Sequence, residues 1–142
     1  MFDLLNQHRC TLLDYLEPDC TLCIFRKKLL SFVVVGGGPT GVEFAAELHD
    51  LVHEDLTDLY PHLEKAVSIT VVQSGDHILN TFDGRISDYA EKKFSRDGVN
   101  VKIGSRVMEV NEDTIKFKLK YTGELVDIPY GMIVWSTGDA AN

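Results

Sequence analysis

The feature that most restricts the fold is a junction, where Phe32-Val33-Val34-Val35 runs directly into Gly36-Gly37-Gly38-Pro39-Thr40-Gly41. A short β-branched run ending in glycine reads as a strand buried on both faces of a parallel sheet. Beyond it, Gly41, Ala45, Leu48, Val52, Leu56 and Leu59 recur in steps of three and four and form one helical stripe. Glu43, Glu47, Asp50 and Glu54 fall off that stripe and face water, and Pro61 stops the helix. A bare G-x-G-x-x-G is a weak pattern, but a strand before it and an amphipathic helix after it make it informative. In that setting Gly36 makes the tight turn, Gly38 lets the backbone approach a pyrophosphate, and Gly41 lets helix and strand pack closely. The helix start then offers unpaired N–H groups and a positive dipole end to phosphates. No Gly-Lys-Ser/Thr follows, which excludes a Walker loop. The loop therefore points to the pyrophosphate of a nicotinamide dinucleotide.

The rest of the chain extends the pattern. Ser68-Ile69-Thr70-Val71-Val72-Gln73 reads as a second strand ending in the turn Ser74-Gly75-Asp76. A second helix runs from about Asp83 to Arg96, with Ile86, Tyr89, Ala90 and Phe94 inward and Gly98 as a left-handed cap. Val99, Val101 and Ile103 alternate as a third strand closed by Gly104. Strands alternating with helices imply a parallel sheet. Ile115, Phe117, Leu119 and Tyr121 then alternate with Lys116, Lys118 and Lys120, giving a half-buried antiparallel strand whose lysines are a solvated face. Thr122-Gly123 turns it into Glu124 to Ile128, and Met132-Ile133-Val134-Trp135 is another buried strand before Ser136-Thr137-Gly138. The fold class is α/β: a Rossmann-type, three-layer nucleotide-binding domain with a parallel sheet plus a small antiparallel β-meander. Its 142 residues hold one domain. Residues 1–25, with no sustained period and no glycine, form a separate segment, and residues 26–142 the nucleotide-binding domain. Leu4, Leu5, Leu12, Leu13 and Leu16 could line one side of a short helix in that segment.

Charge and composition exclude several functions. A net charge of −8 repels phosphate backbones, so nucleic acid is not a partner, and any phosphate site must be local. No stretch reads as a membrane span, a secretory leader or an organellar presequence. All three cysteines, Cys10, Cys20 and Cys23, precede residue 25, which argues against a disulfide scaffold. Cys20 and Cys23 with His8 and Cys10 offer a zinc or dithiol reading, but His8-x-Cys10 does not fit the paired-knuckle spacing. They read as incidental thiols. Tyr89 and Lys93 form a Y-x-x-x-K, the acid/base pair of short-chain dehydrogenases, but too close to the glycine loop, and Tyr89 reads as core. Asp76, Asn80 and Asp83-Gly84 resemble a calcium loop, yet Ile78 stands where oxygen is needed. No catalytic residue and no metal ligand is assigned.

Two residues bear on the coenzyme. The end of the second strand reads the adenosine ribose, where an acid selects NAD by repelling a 2′-phosphate. Gln73 stands there instead. A neutral amide removes the repulsion and can donate to a phosphate oxygen, and Ser74 adds a hydroxyl. No arginine adjoins Gln73 along the chain, and Asp76 is close, so the site admits NADP(H) without gripping it. Glu43 reads as a carboxylate in the first helical turn. It either stabilises the dipole or faces the nicotinamide ribose or a neighbouring redox partner.

The stretch Arg26-Lys27-Lys28-Leu29-Leu30-Ser31-Phe32-Val33-Val34-Val35, its glycine loop, and Val42-Glu43-Phe44-Ala45-Ala46-Glu47-Leu48 resemble the type II, rotenone-insensitive NAD(P)H:quinone dehydrogenases. Gly75-Asp76-His77-Ile78-Leu79-Asn80 and Tyr130 to Gly138 extend the likeness, which is nearest to the external alternative dehydrogenases of plant mitochondria. Gln73-Ser74 resembles the NADPH-associated form, where NADH-using relatives carry glutamate and alanine. The resemblance implies a flavoprotein whose NAD(P)H domain interrupts an FAD domain. Hydride passes from nicotinamide to flavin, and the flavin reduces ubiquinone without proton pumping, peripherally on the outer face of the inner mitochondrial membrane. It also implies contacts to NAD(P)H from Gly36, Gly37, Gly38, Pro39, Thr40, Gly41, Glu43, Gln73 and Ser74, with Gly138 marking the return towards the flavin. The FAD glycine loop is not among these residues, so the chain reads as an excised or truncated domain, inactive alone and not itself binding FAD. The competing reading is a stand-alone dinucleotide-binding module without chemistry.

Overall fold

The computed structural model describes residues 21–61 and 63–138. Helix α1 (Thr21–Leu29) leads into β1 (Ser31–Val35), followed by α2 (Pro39–Asp50), a π-helical stretch (Leu51–Leu56) and a last α-turn (Thr57–Leu59). Then come β2 (Ser68–Val72), α3 (Gly84–Asp97), β3 (Asn100–Lys102), β4 (Ser105–Val110), β5 (Thr114–Leu119), β6 (Leu125–Pro129) and β7 (Met132–Trp135). A parallel sheet runs β3-β2-β1-β7, and an antiparallel sheet runs β4-β5-β6. In β1, Val35 lies beside Val72 of β2 and Trp135 of β7.

Alternation along β1 divides the core. Val34, with Ile69 and Val71, packs against Ala45 of α2 and Phe94 of α3. Val33 and Val35, with Val72, pack on the other face against Ile115 and Phe117 of β5. Helices therefore cover one face of the sheet and the meander covers the other, which makes three layers. A central strand buried on both faces shows as an uninterrupted apolar run. Fully burying each of the valine, isoleucine and phenylalanine side chains contributes about 2 kcal/mol.

Several sequence expectations need correcting. Strand β4 is absent from them: its alternation breaks at a register shift between Val107 and Glu109, and Met108 and Val110 are exposed. Strand β7 lies at the edge of the parallel sheet, so only Ile133 and Val134 are half-buried, while Met132 and Trp135 are exposed. The stripe of the first helix holds as far as Leu56, but Leu59 is exposed. The π-helical stretch changes the phase there, and both the N–H and the hydroxyl of Thr57 donate to Val52 O, the latter at 2.9 Å. Helix α3 is rotated from its expected face. Ala90 and Phe94 pack in the core as expected, but Tyr89 is 65% exposed and Ile86 is also exposed, and Ser87 is buried in their place. The Ser87 hydroxyl donates to Leu79 O and Glu91 accepts from Ile78 N–H, which turns that polar side inward. Tyr121 is exposed as well, and its hydroxyl reaches Asp76.

His8, Cys10, Cys20 and the leucines from Leu4 to Leu16 lie outside the described residues, as do residues 139–142. No described helix is long and apolar enough to cross a membrane.

Candidate functional site

The first connection leaves β1 towards β2, while β7 joins β1 from the other side, so the strand order reverses between β1 and β7. Ligands of open α/β sheets bind outside the carboxyl ends of the strands at such a point. The glycine loop starts there. Gly36 has φ +114°, a conformation that side chains rarely adopt, and its N–H donates to Val72 O at 2.9 Å. From the end of β7, Ser136 donates its N–H to Val35 O at 2.8 Å, and its hydroxyl lies 3.1 Å from both Val35 O and Gly36 O. A Cβ on Gly41 would sit 2.0 Å from Gly36 O, so loop and helix approach too closely for any other residue.

Gly38 differs. Its φ of −75° suits any residue, and a Cβ there would meet nothing of the protein within 4 Å. It is the N-cap of α2 without a side-chain hydrogen bond, and Pro39 follows at the start of the helix. The first N–H groups of α2 therefore lack a capping acceptor, the arrangement that receives an anion. Pro39 and Thr40 are exposed beside it. Glu43 is exposed too, but the helix begins at Pro39, so this carboxylate is the fifth helical residue, and the first turn holds no acid. Dipole stabilisation fades beyond the first turn, which removes that part of the expectation for Glu43.

The segment after β2 locks the loop from the other side. Gln73 Oε1 accepts from Gly37 N–H at 3.1 Å, and Leu79 N–H donates to Gly37 O at 2.7 Å. Ile78 is fully buried beneath Gly37. Leu79 has φ +52°, unusual for a branched side chain. Glu91 of α3 anchors the segment, accepting from Ile78 N–H at 3.1 Å and lying 3.3 Å from His77 Nδ1. Gln73 thus does more than end a strand. Its oxygen is committed to the loop, and among the described residues its amide nitrogen has only a long 3.5 Å contact to His77 O.

Ser74 borders two contiguous depressions. One, of about 170 Å³, is lined by Gly36, Gln73, Ser74, Arg106, Trp135 and Thr137. The other, wider and about 590 Å³, includes Ser74, Arg106, Lys118 and Lys120. Asp76 accepts from Lys120 Nζ at 2.9 Å and from the Tyr121 hydroxyl at 2.7 Å. The hydrogen bond from Lys120, then that from Tyr121, holds the Asp76 carboxyl below its usual range. The same pairing raises Lys120 and Tyr121 above theirs. Gly138 lies past β7, exposed, where a Cβ would meet nothing within 4 Å.

Sequence reasoning missed Ser136 and Arg106. The first carried a usable signal, a small hydroxyl directly after a buried strand. The second had none, because long-range backbone bonds, from Ser105 N–H to Gln73 O and from Gly104 N–H to Gly75 O, carry Arg106 to the end of β2.

Residues 5–142 match the sequence profile of the family described as pyridine nucleotide-disulphide oxidoreductase. The chain is 62% identical over 113 residues to the mitochondrial external alternative NAD(P)H-ubiquinone oxidoreductase B1 of Arabidopsis thaliana, covering 80% of this chain and 20% of that protein. It is 46% identical over 114 residues to the mitochondrial external NADH-ubiquinone oxidoreductase 2 of Saccharomyces cerevisiae, again covering 80% of this chain but 21% of the relative. The chain thus spans about a fifth of the length of the curated relatives it matches. Among solved structures, NDH2 of Plasmodium falciparum in complex with NADH superposes with a TM-score of 0.81 at 29% identity, covering 89% of this chain and 26% of that one.

Proposed function

As the chain belongs to the pyridine nucleotide-disulphide oxidoreductase family, we propose that its residues 26–142 are the NAD(P)H-binding part of a flavin-dependent NAD(P)H:quinone oxidoreductase. The observation that carries this reading is the uncapped start of α2 at the sheet's reversal point, reached through a loop whose Gly38 leaves open space. The pyrophosphate would lie on Gly36, Gly37, Gly38, Pro39, Thr40 and Gly41, where the uncapped N–H groups at the start of α2 and its dipole end supply the counter-charge that a chain of net charge −8 otherwise lacks. Gln73 and Ser74 would face the adenosine ribose, and Glu43 and Gly138 the nicotinamide half.

The chain's own task is to hold the nicotinamide so that its hydride points out of the domain. FAD, implied by the likeness to the external alternative dehydrogenases, supplies the hydride acceptor when bound, and none of the described residues is assigned to it. Ubiquinone as final acceptor, and a place at the outer face of the inner mitochondrial membrane, belong to the same proposal. They rest on relatives named mitochondrial NAD(P)H-ubiquinone oxidoreductases.

Calorimetric titration of the chain with NADPH and with NADH tests the core of this reading. Saturable binding of at least one coenzyme with a stoichiometry of one supports it. Absence of binding by both overturns it.

A further inference from the structure

Arg106 of β4 and Lys118 of β5 are direct cross-strand partners. Like charges placed opposite each other in an antiparallel pair destabilise it. Neither side chain has a carboxylate or hydrogen-bond partner among the described residues, although neighbouring cations do: Lys116 pairs with Glu109 at 3.2 Å and Lys120 with Asp76 at 2.9 Å. These two uncompensated cations stand beside Ser74, at the carboxyl end of β2. Arg106 also lines the smaller depression with Gln73 and Gly36. In an acidic chain, two such cations flanking a hydroxyl form a local anion site.

Resting on the dinucleotide reading above, we infer that Arg106, with Lys118 and the Ser74 hydroxyl, receives the 2′-phosphate of NADPH and so sets the preference between the two coenzymes. The ribose read at the end of β2 carries its 2′-substituent towards the meander. A guanidinium there donates two parallel hydrogen bonds to a phosphate, which an ammonium cannot do. Asp76, the acid that would repel such a phosphate, is bound to Lys120 and to the Tyr121 hydroxyl. Gln73 then acts permissively, as an amide that does not repel. The attraction comes from a strand distant in sequence.

The test compares wild-type, Arg106→Ala, Arg106→Lys and Lys118→Ala chains, all verified as folded by circular dichroism. Each is titrated with NADPH, NADH, adenosine 2′,5′-bisphosphate and 5′-AMP. Wild type should bind the 2′,5′-bisphosphate more tightly than 5′-AMP. Arg106→Ala should lose about tenfold or more in affinity for NADPH and for the 2′,5′-bisphosphate while NADH stays within about twofold. Arg106→Lys should keep part of that affinity, and Lys118→Ala should lose several-fold, again for the 2′-phosphorylated ligands only. Equal losses for NADPH and NADH, or no loss, would overturn the assignment while leaving dinucleotide binding intact. Failure of the wild type to bind either coenzyme would overturn both.

Discussion

The two halves of the candidate cleft are built on different principles. The half around Gly36 to Gly41 is made of backbone. Its specificity lies in what is missing, namely side chains at Gly36 and Gly41 and a capping group at Gly38. The half around Ser74 is made of long side chains from three separate strands or loops, with Asp76, Lys120 and Tyr121 paired and Arg106 and Lys118 left unpaired among the described residues. A pyrophosphate common to both coenzymes suits a backbone cradle, whose N–H groups are fixed by the fold. A phosphate present on one coenzyme and absent from the other suits side chains, which can change without disturbing the sheet. On the proposed reading, the first half would provide binding and the second would provide choice.

Substitution in the backbone half should have the largest effect. Gly41→Ala puts a methyl group 2.0 Å from Gly36 O, which neither α2 nor β1 can yield to cheaply. Overpacking of this kind should destabilise the chain by about 3 kcal/mol and weaken both coenzymes alike. Urea unfolding read beside coenzyme titration checks this. If NADPH alone weakened, the division between the halves would break down.

A smaller and selective effect is expected at the boundary between them. Gln73→Glu keeps the acceptor for Gly37 N–H, so the loop and the stability should hold. The added negative charge should shift the NADPH-to-NADH affinity ratio towards NADH by about tenfold, the size expected of a single charge-assisted hydrogen bond. Should the ratio stay put, Gln73 would be a loop brace only, and discrimination would rest on Arg106 alone.

This contrast also explains what can be read from the chain. The strand at Phe32 to Val35, the glycine loop and the helix through Leu48 are contiguous, so local pattern suffices to place them, and the face that Ala45 and Val52 bury agrees. Where long-range polar contacts decide, periodicity gives the wrong answer. Ser87 and Glu91 bind the segment after β2, and helix α3 turns to suit them, leaving Tyr89 in water. A bulge hides β4, and with β4 goes Arg106, the arginine that lines the smaller depression beside Gln73 and Ser74. Along the chain, Asp76 reads as an opponent of the 2′-phosphate because its sequence neighbours offer no cation. Its partner, Lys120, comes from the end of β5.

Gly38 offers the most direct test of the central claim that the glycine loop receives a dinucleotide. Its backbone suits alanine and a Cβ there touches nothing, so the fold itself does not require glycine at this position. The decisive measurement is the NADPH and NADH affinity of folded Gly38→Ala, taken with its unfolding midpoint. Stability unchanged or raised by about 0.5 kcal/mol, with both coenzymes weakened about tenfold or more, is the predicted result. Coenzyme affinities equal to wild type would contradict it.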